Sequence, residues 1–446
     1  MKRTPFFFAA LLLLWLLGSG AGAQEFSADP VNESAEIRVQ INDSWLSSDI
    51  SAVSTRKPLE LSNRYGTVFS VEQQIDRLSG LQSVTISPPQ ASGSRTSGSR
   101  GTWILYRRLS DGMPDHIKIF PVQDPSIFIM LQPDSGNPEK GKTLLALNIY
   151  GGEACRDIPL GVPFIRMYTA TLESIISMTP RLVPWHLINP DSIDYLSSEA
   201  AIRAIRAQIG TLVYLDDGAF NENGEPVLIQ GGSLQDTQSI LKAVEPNQDL
   251  SNIIGGVNCS GFVKWLVDGI ILPRAGSRLF IEPLKTRTDS PETHFTEPFR
   301  ENRDLFFALD WTRNLASAVV SLTSARTVKP DESGVDVTIN PFANLNRYEK
   351  NVGYRTGDLF PILYFLAVTE PGHFYLGAVS RERGTPLLRQ YHHAAAFFPY
   401  FEEGIFKVDV FESAEETPAP VFLERNTGSY SHLVRVRLPE AGYYQP

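Results

Sequence analysis

The sequence predicts an α+β protein, with an all-β N-terminal domain ahead of a mixed C-terminal one. Three observations carry that expectation. Short β-branched and aromatic runs separated by turn clusters fill the chain up to about residue 150. Apolar residues at helical spacing appear from residue 167. Strand-like runs then return beyond residue 358. A chain of 446 residues, 42% of them hydrophobic, predicts two or three domains with real cores and excludes global disorder. The formal net charge of −10 argues against a nucleic-acid partner, which would need a basic face. The two cysteines, Cys155 and Cys259, cannot form a disulfide scaffold or a cysteine-rich zinc site.

Residues 1–23 read as a signal peptide. Lys2 and Arg3 supply the positive start, 6–17 the apolar run, and Ala21-Gly22-Ala23 the cleavage site. No later run has about 18 consecutive apolar residues, so no membrane span is expected after its removal. The protein is expected to be exported, to the periplasm or outside the cell. Residues 24–195 are expected to form the β-rich domain, a sandwich or barrel with linking helices. Its β-like runs are 101–109, 126–131 and 143–150, with 35–41 alternating in part. The turn clusters are 88–102 and 133–142. The first, rich in Ser, Gly and Arg, reads as a mobile hairpin tip whose arginines could hold an anion. Helices are expected over 167–178 and 198–208. In the second, Ile202, Ile205 and Ile209 recur at helical spacing and Ser197 or Ser198 is the N-cap.

The second domain is placed at 196–446. A hairpin over 212–230 turns at Asp216-Asp217-Gly218 and again at 221–224, and a helix follows from Ser233 to about 244. A helix is expected near 304–323. The closing strands are 359–368, 374–380, 386–392, 405–410, 421–424 and 432–438. The acidic turns do not match a calcium-loop spacing, and no phosphate-binding Gly pattern occurs. No metal or cofactor is expected.

The most informative segment is Asn258-Cys259-Ser260-Gly261-Phe262-Val263. Asn258 is a good N-cap, and Phe262, Val263, Leu266, Val267 and Ile270 fall on one helical face. Cys259 then sits in the first turn, where unpaired N–H groups and the helix dipole stabilise a thiolate and could hold an oxyanion. A Cys155–Cys259 disulfide is the rival reading for an exported chain. A nucleophilic cysteine needs a base. His373 opens the strand 374–380, and His392 and His393 end the next predicted strand. A short turn at 381–385 would set His373 beside one of that pair, and only one, because neighbours on a strand point oppositely. A thiol, an imidazole and a polar group on the next strand form a Cys-His-X triad. Ser260 and Trp265 are the candidate substrate contacts, the first for its small size beside the thiol, the second for stacking on sugars.

These residues resemble the NlpC-type cell-wall cysteine peptidases, a papain-like family. Their helix signature Asp-Cys-Ser-Gly-Phe-Val is matched by Asn258 to Val263, with Asn in place of Asp. Further matches are Gly357-Asp358-Leu359, His373-Phe374-Tyr375-Leu376-Gly377 and Tyr391-His392-His393-Ala394. The resemblance covers roughly 195–410. It implies a helix carrying the Cys packed on an antiparallel sheet carrying both histidines. It implies Cys259 as nucleophile, His373 as base and His393 as orienting group, with His392 as the alternative. It also implies hydrolysis of amide bonds in peptidoglycan stem peptides through an acyl-enzyme. The long stretch between Cys259 and Gly357 implies an insertion at about 272–350. The Tyr that the family carries ahead of the Cys is not found near it.

Two other functions fit the same residues. One is a thiol acyltransferase on this scaffold. The other is a non-catalytic envelope or binding protein on a degenerate peptidase fold, with Cys259 tied to Cys155. Peptidoglycan or a peptide is the expected partner, and no feature specifies an oligomer.

Overall fold

The computed structural model describes residues 31–89, 99–136, 142–188, 195–243, 251–289 and 304–446. The expected signal peptide and the 90–98 part of the Ser/Gly/Arg turn lie outside them. The N-terminal region is β-rich. Eight strands, each antiparallel to the next, run in chain order: Leu59–Ser62, Val68–Asp76, Leu81–Ser87, Trp103–Arg108, Pro114–Ile119, Ile127–Pro133, Lys142–Ile149 and Gly152–Pro163. Alternation sets the register. Val84 pairs with Leu105 and Leu105 with Ile117, and Ile129 pairs with Leu147. All are fully buried on one face.

That face shares its core with the helices Ala35–Ile41 and Leu172–Met178. Residues 35–41 are thus helical, not extended. Ile37 and Ile41, one turn apart, face the core. Arg38 is buried beside them and donates to the carbonyls of Tyr168 and Ala170 (both 2.9 Å) and to Glu33 (2.7 Å). Each nitrogen of the guanidinium, Nε included through Ser34 Oγ, has an acceptor, which makes its burial tolerable.

The last strand pair of this sheet meets the C-terminal half. Gly152 lies so close to Phe342 that a Cβ would sit 2.7 Å from its ring. The Ala343 N–H donates to Glu153 O (3.0 Å), and Tyr150 packs edge-on against Phe360 at 4.8 Å. The C-terminal half combines sheets and helices. Its main sheet orders the strands Tyr354–Arg355, Tyr430–Arg437, His373–Arg383, Leu388–Glu402, Ile405–Glu412 and Glu415–Pro418. Helices cover both faces. Ala378 packs under Leu309 of the helix Phe307–Ser324, while Phe397, on the opposite face, meets Phe422 of the helix Ala419–Arg425.

Several expected boundaries move. Residues 359–368 form the helix Leu359–Thr369, and 421–424 lie within the helix Ala419–Arg425. Both are apolar runs whose periodicity fits either element, and an all-round apolar helix is one that is buried. The helix Leu196–Gln208 has Tyr195 and not a serine at its N-cap position, and Ser198 Oγ is buried with no hydrogen-bond partner among the described residues. Of the 212–230 hairpin, only Gly218–Phe220 and Pro226–Leu228 pair with each other. Leu212–Tyr214 instead runs parallel to Gly255–Val257. The helix expected from Ser233 starts at Thr237.

The helix Cys259–Ala275 is buried on every side from Ser260 to Ile271, not on one face alone. Its polar residues are satisfied within the core. Lys264 Nζ lies 2.7 Å from Asp268 Oδ2, and Asp268 Oδ1 accepts from the Leu279 N–H (2.9 Å). Pro273 falls inside this helix and has no N–H for the Gly269 carbonyl. The end of the chain supplies the missing donor. The Gln445 N–H donates to Gly269 O at 2.9 Å, and Tyr444 Oη donates to Leu266 O at 3.0 Å. Gly269 is required there, since a Cβ would lie 2.7 Å from Pro446.

Among the described residues, no helix is long and apolar enough to cross a membrane. Deleting residues 444–446 should therefore cost about 1–3 kcal/mol, the penalty for orphaning a buried carbonyl plus lost packing. In a Pro273→Ala background the cost should shrink, because the helix regains its own donor. Urea unfolding of the four proteins checks this, and equal losses in both backgrounds would refute the repair.

Candidate active site

The site is built on the start of the cysteine helix. Asn258 caps it: its Oδ1 accepts from the Gly261 N–H (2.8 Å), and its own N–H donates to Gly218 O (3.0 Å). The first intrahelical bond comes from the Phe262 N–H to Asn258 O (2.8 Å). The amides of Cys259 and Ser260 therefore precede the ladder, as first-turn donors do. The seat is tight. A Cβ on Gly261 would lie 2.0 Å from Gly218 O. Gln235 clamps the incoming strand, accepting from the Gly256 N–H (2.9 Å) and donating to the carbonyls of Gly256 (2.8 Å) and Val227 (3.0 Å).

Cys259 is half-buried, and His393 is the imidazole that acts on its thiol. His393 lies on the strand Leu388–Glu402, and its Nε2 is 2.5 Å from Glu412 Oε2. The other ring nitrogen, Nδ1, is thus the one left for the thiol. Glu412 ends the neighbouring strand Ile405–Glu412 and is almost fully buried. Its Oε1 accepts from Thr417 Oγ1 (2.7 Å) and from Arg425 Nη2. The arrangement is a thiol, an imidazole and a carboxylate in line.

The electrostatics follow from that order. Burial alone would push the Cys259 thiol up. The hydrogen bond and positive charge of His393, the Ala394 backbone and Ser260 outweigh it and hold the thiol below its ordinary value. Burial opposes the charged form of His393 too, yet the partners Cys259 and Glu412 push it up to about 9. Glu412 is held down to about 2: burial opposes this, but hydrogen bonds from His393, Thr417 and Arg425 prevail. The same contact therefore works in both directions: the imidazole holds the thiol down, and the thiol and Glu412 hold the imidazole's proton on.

His373 is not part of this arrangement. Its Nδ1 lies against Glu370 O (3.1 Å), and its strand position pairs with Arg437. The residue opposite His393 is Val379, six residues along the strand from His373, or about 20 Å at a strand's rise. The expected proximity assumed that the second strand ends at His392. It runs on through Ala394, Ala395, Ala396 and Phe397 to Glu402, so the start of the first strand pairs far beyond the histidines. His392 is exposed and faces away from His393. Ser260 is buried, with its Oγ 4.0 Å from Cys259 Sγ, and its carbonyl accepts from Trp311 Nε1 (2.9 Å). Trp265 is a core residue stacked on Phe262 at 5.6 Å, and so cannot stack on a sugar. Cys155 and Cys259 are both free thiols, so the disulfide reading is set aside.

Glu412 escaped the sequence reading. The expected strand 405–410 ended two residues too soon. The signal was a carboxylate closing an alternating apolar strand, on the element that follows the histidine strand. Among the described residues, no group of three His, Cys, Asp or Glu side chains could hold a metal ion.

A family model described as a domain of unknown function (DUF8515) matches residues 27–187. That span holds the eight-stranded sheet and the helices Ala35–Ile41 and Leu172–Met178, but none of Cys259, His393 or Glu412. No curated protein and no solved structure matches the chain.

The shifts of His393 and Glu412 imply a pH dependence of stability. His393 binds its proton more tightly when folded. Its contribution is full below about pH 6.5 and is lost as pH rises through about 9. Glu412 is more acidic when folded, so its contribution is present above about pH 4.5 and is lost as pH falls through about 2. Counted once, the pair should be worth on the order of 1–3 kcal/mol. Urea unfolding from pH 2 to 10 should show Glu412→Gln losing most near pH 5–6. A variant curve parallel to wild type would contradict the assignment.

Proposed function

We propose that this protein is an exported cysteine hydrolase that cleaves amide bonds in peptidoglycan stem peptides, on a papain-like scaffold of the NlpC type. One observation carries the reading: a half-buried thiol in the first turn of a helix, held down by an imidazole whose far nitrogen meets a buried carboxylate. The signature from Asn258 to Val263 on that helix supports the family likeness. So does an antiparallel sheet carrying the imidazole beside it. The roles shift by one strand from the sequence expectation. His393 is the base and Glu412 the orienting group. The segment 1–23 acts as the export signal.

The chemistry runs as follows. The Cys259 thiolate attacks the scissile carbonyl; a C–S bond forms and the carbonyl π pair moves to oxygen. The amides of Cys259 and Ser260 donate to that oxyanion. His393 gives its Nδ1 proton to the departing amine as the C–N bond breaks, leaving a thioester. A water molecule then loses a proton to His393 and attacks the thioester. The C–S bond breaks, the acid product leaves, and the thiolate–imidazolium pair is restored. Glu412 stays ionised throughout and holds the ring through Nε2–H. No cofactor enters these steps.

Digestion of purified peptidoglycan, with fragments read by mass spectrometry, tests this. Wild type should release stem-peptide fragments, and Cys259→Ala and His393→Ala should release none. Glu412→Gln should fall by about 10- to 1,000-fold, and His373→Ala should match wild type. Failure of the folded wild-type protein to cut any stem-peptide bond would sink the proposal.

A further inference from the structure

The helix Ala419–Arg425 stands behind the site and presents Phe422 and Arg425, three residues apart on one face. Phe422 packs edge-on against Phe397 at 5.1 Å and lies 6.5 Å from the His393 ring. The Arg425 guanidinium sits 5.9 Å over the Phe422 ring and bonds to Glu412 Oε1. Thr417 Oγ1 bonds to the same oxygen at 2.7 Å. One carboxylate oxygen is therefore held from two other elements, and the second is left for His393 Nε2 at 2.5 Å. The charged and polar groups facing Glu412 are His393 from the neighbouring strand, Thr417 from the next one, and Arg425 from the helix. His393 in turn faces Cys259, while His392 points away on the other side of the strand.

We propose that Arg425 is a positioning residue of the site: by holding Glu412 Oε1 it fixes the carboxylate's rotamer and ionisation, and through it the orientation of His393 toward Cys259. This rests on the reading of Cys259 as the nucleophile. Arg425 itself has no contact with the thiol. Its side chain is 54% exposed, so an ordinary surface pairing there would do little for stability. Its partner is only 5% exposed, and a carboxylate that deep depends on the donors around it. The link also crosses from a short helix to a strand end. Without Arg425, Thr417 alone holds Oε1, and the carboxylate is fixed less firmly about its last bond for the contact that Oε2 makes with His393.

The test is the pH profile of Cys259 alkylation by iodoacetamide from pH 5 to 9, mapped by peptide mass spectrometry, with His393 followed by nitrogen-15 NMR. Wild type, Arg425→Gln, Arg425→Lys and Glu412→Gln are compared, and urea unfolding at pH 7 is measured alongside. Wild type should alkylate well below the pH range of an ordinary thiol. Arg425→Gln should slow alkylation at pH 6.5 by about 3- to 10-fold, the size expected for one charge-assisted bond. Its His393 should titrate lower, with little change in unfolding midpoint. Arg425→Lys should recover most of the rate. If Glu412→Gln shifts the profile but Arg425→Gln does not, the positioning role is overturned and the nucleophile reading stands. A slower rate that tracks a loss of stability also overturns it. If wild-type Cys259 titrates as an ordinary thiol, the nucleophile reading fails and takes the positioning role with it.

Discussion

The cysteine helix begins against a backbone carbonyl with no room for a side chain between them. Gly261 approaches Gly218 O so closely that a Cβ would stand 2.0 Å away, and the Asn258 N–H donates to that same oxygen. Only glycine allows the contact. From the other side, Trp311 of the helix Phe307–Ser324 donates to Ser260 O. The thiol thus sits between two fixed points. The fully buried body of the helix, with its proline-orphaned carbonyl satisfied by Gln445, prevents the first turn from shifting along its axis. The site depends on this seat, since a thiolate gains from a neighbouring imidazolium only if the two are held together.

Partners of opposite character alternate along the site: the Arg425 guanidinium, the Glu412 carboxylate, the His393 imidazole and the Cys259 thiol. Each member is wholly or partly removed from water, and each would be disfavoured alone. Together they hold the thiol below its ordinary value and push the imidazole above its own. The second cysteine makes the point by contrast. Cys155 is also half-buried, on the strand Gly152–Pro163, but among the described residues no imidazole acts on it, and burial pushes its thiol up. Both are half-buried residues, and their neighbours set the direction in which each thiol moves.

Much of this was legible in the residues. Asn258 as N-cap, Cys259 in the first turn and the strand alternation of 101–150 are local features, and local features survive folding. The histidine-bearing strand was legible as an element, but its length was not. Its run Ala394-Ala395-Ala396-Phe397-Phe398 carries no polar alternation, because helices cover both faces of the sheet. Misjudging that length by ten residues put His373 beside His393 and left Glu412 unseen. The same loss of alternation disguised the helix Leu359–Thr369 as a strand.

The sequence by itself determined the setting of the Cys259 thiol, an asparagine-capped helix start with small residues after the cysteine, since capping acts within four residues. It also determined that a histidine strand would follow. Only the tertiary structure decided which histidine meets the thiol and which carboxylate stands behind it. Register fixes those partners, and register is a property of two strands and the faces they bury, which no single stretch of sequence contains.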